Sequence, residues 1–155
     1  VQARPGGTAI EGAGALAAPG LPRPAGRPLT IMPRVPYRLT WEPRGVYREY
    51  LEDVTIEERL ASFNEILAHP RFDDLRYTIT DYLAVRDYEI TPDATAEIGA
   101  LHIGALATNP RIRIAAVAVR PDVLSAIADL QSHRFFAQPY RVFGTLAEAR
   151  RWTRS

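Results

Sequence analysis

The run Ile114-Ala115-Ala116-Val117-Ala118-Val119 is apolar at every position. A strand that shows neither face to water sits at the centre of a sheet with helices packed on both sides, so this run predicts a layered α/β architecture. The flanking segments agree. Tyr37, Leu39 and Trp41 alternate with Arg38 and Thr40, the period of a half-buried strand. Glu42-Pro43-Arg44-Gly45 is a turn, and residues 46–51 return as a second strand, closing an antiparallel hairpin. Thr55 and Glu58 have capping-box spacing at the head of a helix whose apolar face is Ile56, Leu60, Phe63 and Leu67, and Pro70 stops it. A third strand is expected over 75–81.

Thr91 and Pro92 then open a second helix as N-cap and first-turn proline. Ala94, Ile98, Leu101 and Ala105 form its apolar stripe, and Asn109-Pro110 ends it. The fourth strand covers 111–119. Pro121-Asp122 starts a third helix, with Val123, Leu124, Ile127 and Leu130 facing inward. Phe135-Phe136 precede a short fifth strand over 140–143. Thr145 and Glu148 repeat the capping box before a last helix that buries Leu146, Ala149 and Trp152. The order β-β-α-β-α-β-α-β-α predicts a single mostly parallel sheet with an N-terminal antiparallel hairpin, its crossovers right-handed.

This domain is expected over residues 36–153. Residues 1–31 consist of Ala, Gly and Pro with a few charges and have neither period. They cannot bury enough apolar area to offset their ordering entropy, so they read as a disordered tail or as a segment upstream of the natural start. Met32, the one methionine, is the expected start, and truncation to it is expected to leave the melting midpoint unchanged.

Composition narrows the function. A net charge of +1 lacks the basic excess of a dedicated nucleic-acid binder. The absence of cysteine excludes disulfides, thiol catalysis and cysteine-held zinc, and fits the cytoplasm. No apolar run reaches the roughly 20 residues that span a bilayer. All 19 basic residues are arginine, as codon bias in a GC-rich genome would produce.

The chemistry-bearing residues cluster after the third strand. Asp81 is expected at its C-terminal end, with Asp87 and Glu89 in an acidic connection leading to Thr91, and this strand-to-helix edge is where open α/β sheets place sites. Such carboxylates can hold Mg²⁺ or, at Asp81, accept a phosphoryl group, whereas their structural role would be to bond loop amides and face water. The histidines have no metal-site spacing: His69 and His133 read as cations at helix C-termini, and His102 as a residue flanking the buried stripe. Ser62, Ser125 and Ser132 lack a nucleophile elbow. Arg76, Arg113 and Arg141 fall near strand starts, where pairing with Asp73, Asp74 and solvent is expected; Arg38 and Arg48 lie on the hairpin. Gly99 and Gly104 each cost the second helix roughly 1 kcal/mol relative to alanine, which close packing on the sheet or a shallow surface open to a partner or acyl chain would explain.

The element order, Asp81, and the closing Tyr140-Arg-Val-Phe and Leu146-Ala-Glu-Ala-Arg-Arg-Trp152 segments resemble the STAS fold of anti-sigma factor antagonists and sulfate-transporter tails, in a bacterial branch of poorly understood function. In the antagonists an Asp-Ser-Ser/Thr-Gly motif follows the third strand, and its second hydroxyl accepts a phosphate. Counted from Asp81 that motif falls on Glu89, Ile90, Thr91 and Pro92, so acid and hydroxyl are kept while Ile90 and Pro92 replace the first hydroxyl and the glycine. The resemblance implies a non-enzymatic regulatory module without a cofactor, touching a protein partner around the helix that begins at Thr91. The alternative is a carrier for a small apolar or acyl molecule between that helix and the sheet. A third possibility is a Mg²⁺-dependent activity of Asp81 and Glu89.

Overall fold

The computed structural model describes residues 33–133 and 138–155. The expectations for residues 1–31, Met32 and Phe135-Phe136 lie outside the described residues. Strands β1 (Tyr37–Glu42), β2 (Gly45–Val54), β3 (Tyr77–Tyr88), β4 (Arg113–Val117) and β5 (Tyr140–Phe143) form one sheet in the order β1-β2-β3-β4-β5. β1 pairs antiparallel to β2, and the other pairings are parallel. Helices α1 (Ile56–Leu67), α2 (Pro92–Thr108) and α3 (Pro121–Ser132) occupy the crossovers, and α4 (Leu146–Arg154) follows β5.

The strand order never reverses. Successive right-handed crossovers in one direction put their helices on one face of a sheet. The packing follows: α1, α2 and α3 bury Ile66, Leu106 and Ile127 against Val46, Tyr50, Ile114 and Ala116. The opposite face carries α4 alone, with Ala149, Leu146 and Trp152 against Ile79, Ala115 and Val117. β4 is therefore buried on both sides by strict alternation. It is shorter than expected, because Ala118 is buried beyond its end and Val119 is 60% exposed.

Local signals operate as their chemistry requires. Thr55 accepts the Glu58 amide while the Glu58 carboxylate accepts the Thr55 amide, a complete capping box. Thr145 accepts the Glu148 amide, but the Glu148 carboxylate binds the Thr145 hydroxyl instead of its amide, so the second box is only half formed. Asn109 ends α2 and is 2% exposed, donating from Nδ2 to the carbonyls of Phe72 and Leu75 at 2.9 and 3.0 Å. It thereby ties the end of α2 to the entry of β3. No helix among the described residues is long and apolar enough to cross a membrane.

Several helix faces differ from expectation. The buried face of α1 is Arg59, Ser62 and Ile66, with Ile56, Leu60, Phe63 and Leu67 only half-buried. Polar residues reach the interior there because they are hydrogen-bonded, as set out below. On α2, Leu106 is buried where Leu101 is half-buried, and on α3 Leu124 is 37% exposed. A Cβ added to Gly104 would meet nothing within 4 Å, so close packing does not account for that glycine.

Candidate functional site

The acidic cluster is dispersed by an unexpected length of strand. β2 runs to Val54 and keeps β3 paired through Tyr88, with register slips near Glu49 and Glu52, the latter at φ 57°. Asp81 is thus mid-strand, although it is the last β3 residue paired to β4. Asp87 belongs to the strand, and the connection to α2 shrinks to Glu89, Ile90 and Thr91. Alternation turns Asp81 to the α4 face, where it is 5% exposed. Tyr47 donates to Oδ2 and the Leu83 amide to Oδ1, both at 2.9 Å. Burial first, then the Asp81 hydrogen bond and charge, raise the Tyr47 phenol above its ordinary range.

Asp87 is exposed and accepts the Tyr88 amide at 3.0 Å. Glu89 accepts the Ile56 amide at the head of α1 at 3.1 Å, and its carbonyl takes a bond from Arg59. Thr91 is the exposed N-cap of α2, accepting the Ala94 amide at 3.2 Å. Thr91→Ala is expected to cost roughly 0.5–2 kcal/mol, measured by urea unfolding. Among the described residues, no three His, Asp or Glu side chains are grouped to hold a metal ion.

His133 is the C-cap of α3 as expected, whereas His69 and the strand-start arginines meet partners that were not expected. His69 lies just beyond the α1 C-cap, where its Nδ1 accepts the Arg71 amide at 3.1 Å and its ring stacks on Trp41 with centroids 3.7 Å apart. His133 lies 3.8 Å from Asp129. Arg113 donates to the Trp152 carbonyl at 3.0 Å, and Arg113 and Arg141 both lie over the Trp152 ring, because that face of the sheet receives α4. Arg76 binds the Asp74 and Leu75 carbonyls, not the carboxylates.

A partly enclosed cavity lies under α2. It has a volume of about 70 Å³ and lies between the sheet and α1, α2 and α3, where one water needs roughly 10–15 Å³. Its walls are apolar at Phe63, Ile98, Leu106 and Ile127, with polar groups from Thr80, Thr95 and several tyrosines. Its cations are Arg48 and Arg59, each only 8% exposed. Arg48 donates to Ser62 Oγ at 3.1 Å and to Thr80 Oγ1 at 2.9 Å, and its guanidinium stands 5.1 Å from the Tyr50 ring centre. Tyr50 and Ser62 hydroxyls are 2.7 Å apart, and Ser62 donates to the Arg59 carbonyl. This network explains the polar face of α1, since buried polar groups are tolerated when hydrogen-bonded.

His102 lines the same cavity instead of flanking it. Its ring centre is 4.4 Å from that of Phe63, and Nδ1–H donates to the Ile98 carbonyl at 2.8 Å. Burial chiefly, with the Arg48 and Arg59 charges adding, pushes its pKa down to about 4 against the Ile98 hydrogen bond. Sequence reasoning passed over Arg48, though a signal existed. On the second strand Val46, Arg48 and Tyr50 share one face, so two apolar neighbours flank a cation on the side that must turn inward.

No family model and no curated protein matches the chain. Among solved structures, it is similar to the anti-sigma factor antagonist SpoIIAA in its unphosphorylated form, with a TM-score of 0.55 at 11% identity, covering 77% of this chain and 98% of that one. It also matches an uncharacterized protein with a SpoIIAA-like fold from Shewanella loihica, with a TM-score of 0.49 at 12% identity, covering 76% and 91% of the two chains. The fold is STAS-like.

Proposed function

We propose that this STAS-like domain is a non-enzymatic binding module, working in the cytoplasm, that holds a small apolar or amphipathic molecule between α2 and the sheet. The observation that carries this reading is the cavity itself. A core of this size normally closes to crystal-like density, and an internal space several waters in volume is an exception. Ligand sites are concave and mostly apolar with a few placed polar groups, which is how this one is lined. Native mass spectrometry of the protein purified from its host is expected to show a bound small molecule that leaves on denaturation. Protein of bare mass that also fails to take up added apolar compounds would end the reading.

A protein partner docking around α2 is the second reading. Ile103 is 45% exposed on that helix beside the bare Gly104, and Thr91 stands exposed at its head. Counted along the sequence from Asp81, Thr91 also falls where the anti-sigma antagonist motif carries its phosphoacceptor. A phosphate there would gain from the helix dipole and oppose the nearby Glu89 and Asp93 charges. Thr91→Asp keeps a capping acceptor, so it should leave stability nearly unchanged while weakening a captured partner complex if the site is a switch. Unaltered partner affinity, with no phosphate on Thr91 in host protein, reduces the residue to a cap.

A further inference from the structure

We infer that the cavity under α2 takes a small organic acid, a single carboxylate on an apolar body, with Arg48 as the group that holds the carboxylate. The inference deepens the ligand reading and rests on it. Arg48 projects from β2 into the cavity and is 8% exposed. Its two hydrogen-bond partners are neutral hydroxyls, those of Ser62 and Thr80. Among the described residues its Nε has no partner, and no carboxylate forms an ion pair with it.

That arrangement is costly. A buried charge is expensive unless it is paired, and arginine is almost never fully buried without a counter-charge. The same chain supplies one on the other face, where Arg150 meets the Glu42 carboxylate at 2.7 Å. On the cavity side no Asp or Glu among the described residues lines the wall. Arg59 is the second buried cation, and it is already engaged, lying 4.4 Å from the Tyr88 ring centre and donating to the Glu89 carbonyl. One open guanidinium donor calls for one negative charge, and carboxylate oxygens accept from guanidinium with good geometry. Beyond Arg48 and the engaged Arg59 the walls are mostly hydrocarbon and aromatic, with hydroxyls from Thr80 and Thr95, which suits an apolar body carrying a single charged head.

Isothermal titration of the full chain at neutral pH, with octanoate, 1-octanol and octylamine as probes, tests this. The three share a tail and differ only in the head group. Octanoate is expected to bind, octanol at least about tenfold more weakly, and octylamine not at all. Arg48→Met should bring octanoate down to the affinity of octanol and leave octanol unchanged. The empty variant should also melt no lower than wild type, because an unpaired buried charge has been removed. A residue kept only for structure would behave oppositely. Equal affinity for octanoate and octanol in the wild type overturns the acid assignment while leaving an apolar ligand site standing. Binding of neither overturns both readings. The comparison of the two probes in wild type decides the matter even if the variant does not fold.

Discussion

Between pH 7 and pH 4 the protein should lose about 3 kcal/mol of stability through His102 alone. In the unfolded chain this imidazole has an ordinary pKa near 6.5; in the fold it is pushed down to about 4. In the interval between those values the unfolded state binds a proton that the native state refuses, so stability rises with pH across it. The His102 contribution is fully present above about pH 6.5, declines as pH falls, and is gone below about pH 4. At about 1.36 kcal/mol per pKa unit the total is about 3 kcal/mol, to the nearest kcal. The cause is first the burial of the ring under Phe63 and then the two guanidiniums. Other groups also respond to acid, so the comparison that isolates the effect is urea unfolding of wild type and His102→Gln at both ends of that interval. The variant should lose markedly less stability on acidification. Parallel pH profiles for the two proteins would show that His102 is not held neutral by its surroundings.

That prediction was not available from the sequence, and the reason is instructive. His102 follows Leu101 in sequence and so points about 100° round the helix from it, which left it at the margin of the buried stripe in the pattern of α2. α2 is apolar around most of its circumference, which makes its inward direction hard to read from periodicity alone. By contrast the elements with sharp boundaries were legible. Thr55 with Glu58, Thr91 with Pro92, and Asn109 before Pro110 each mark an end through a specific hydrogen bond or a missing one. The run at β4 revealed a sheet covered on both sides because no alternation was present to hide.

The full length of the third strand was hidden for a related reason. A strand end is inferred where alternation stops, and beyond Asp81 the bulged pairing with β2 breaks the alternation without ending the strand. A non-reversing strand order also leaves no switch point of the kind that forms the binding crevice in doubly wound sheets. The concave space lies instead on the sheet face, beneath three helices on the same side. What builds it is long-range: Arg48 on one strand, Thr80 on the next, and Ser62 on a helix. Each is ordinary in its own segment, and only the packing brings them together.

Gly45→Ala should destabilise the domain by about 1–3 kcal/mol, the range found for overpacking a filled interior. Gly45 opens β2 directly opposite Tyr77 of β3. A Cβ built there would lie 2.2 Å from two ring carbons of Tyr77, far inside contact distance. The ring cannot simply swing away. Its hydroxyl donates to the Glu42 carboxylate, which is paired in turn with Arg150 of α4. Burial and that acceptor push the Tyr77 pKa up to about 12, so the phenol stays protonated and the bond holds throughout the neutral range. Accommodating one methyl group therefore means displacing the ring, or shifting β2 against β3 at the start of their pairing. The clash is local to one pair, which makes a double-mutant cycle the decisive measurement. In a Tyr77→Ala background the ring is gone, and Gly45→Ala should cost little or become mildly favourable, since alanine loses less chain entropy than glycine on folding. If the glycine substitution costs the same with and without the ring, the demand at Gly45 comes from its backbone, and the contact with Tyr77 is incidental.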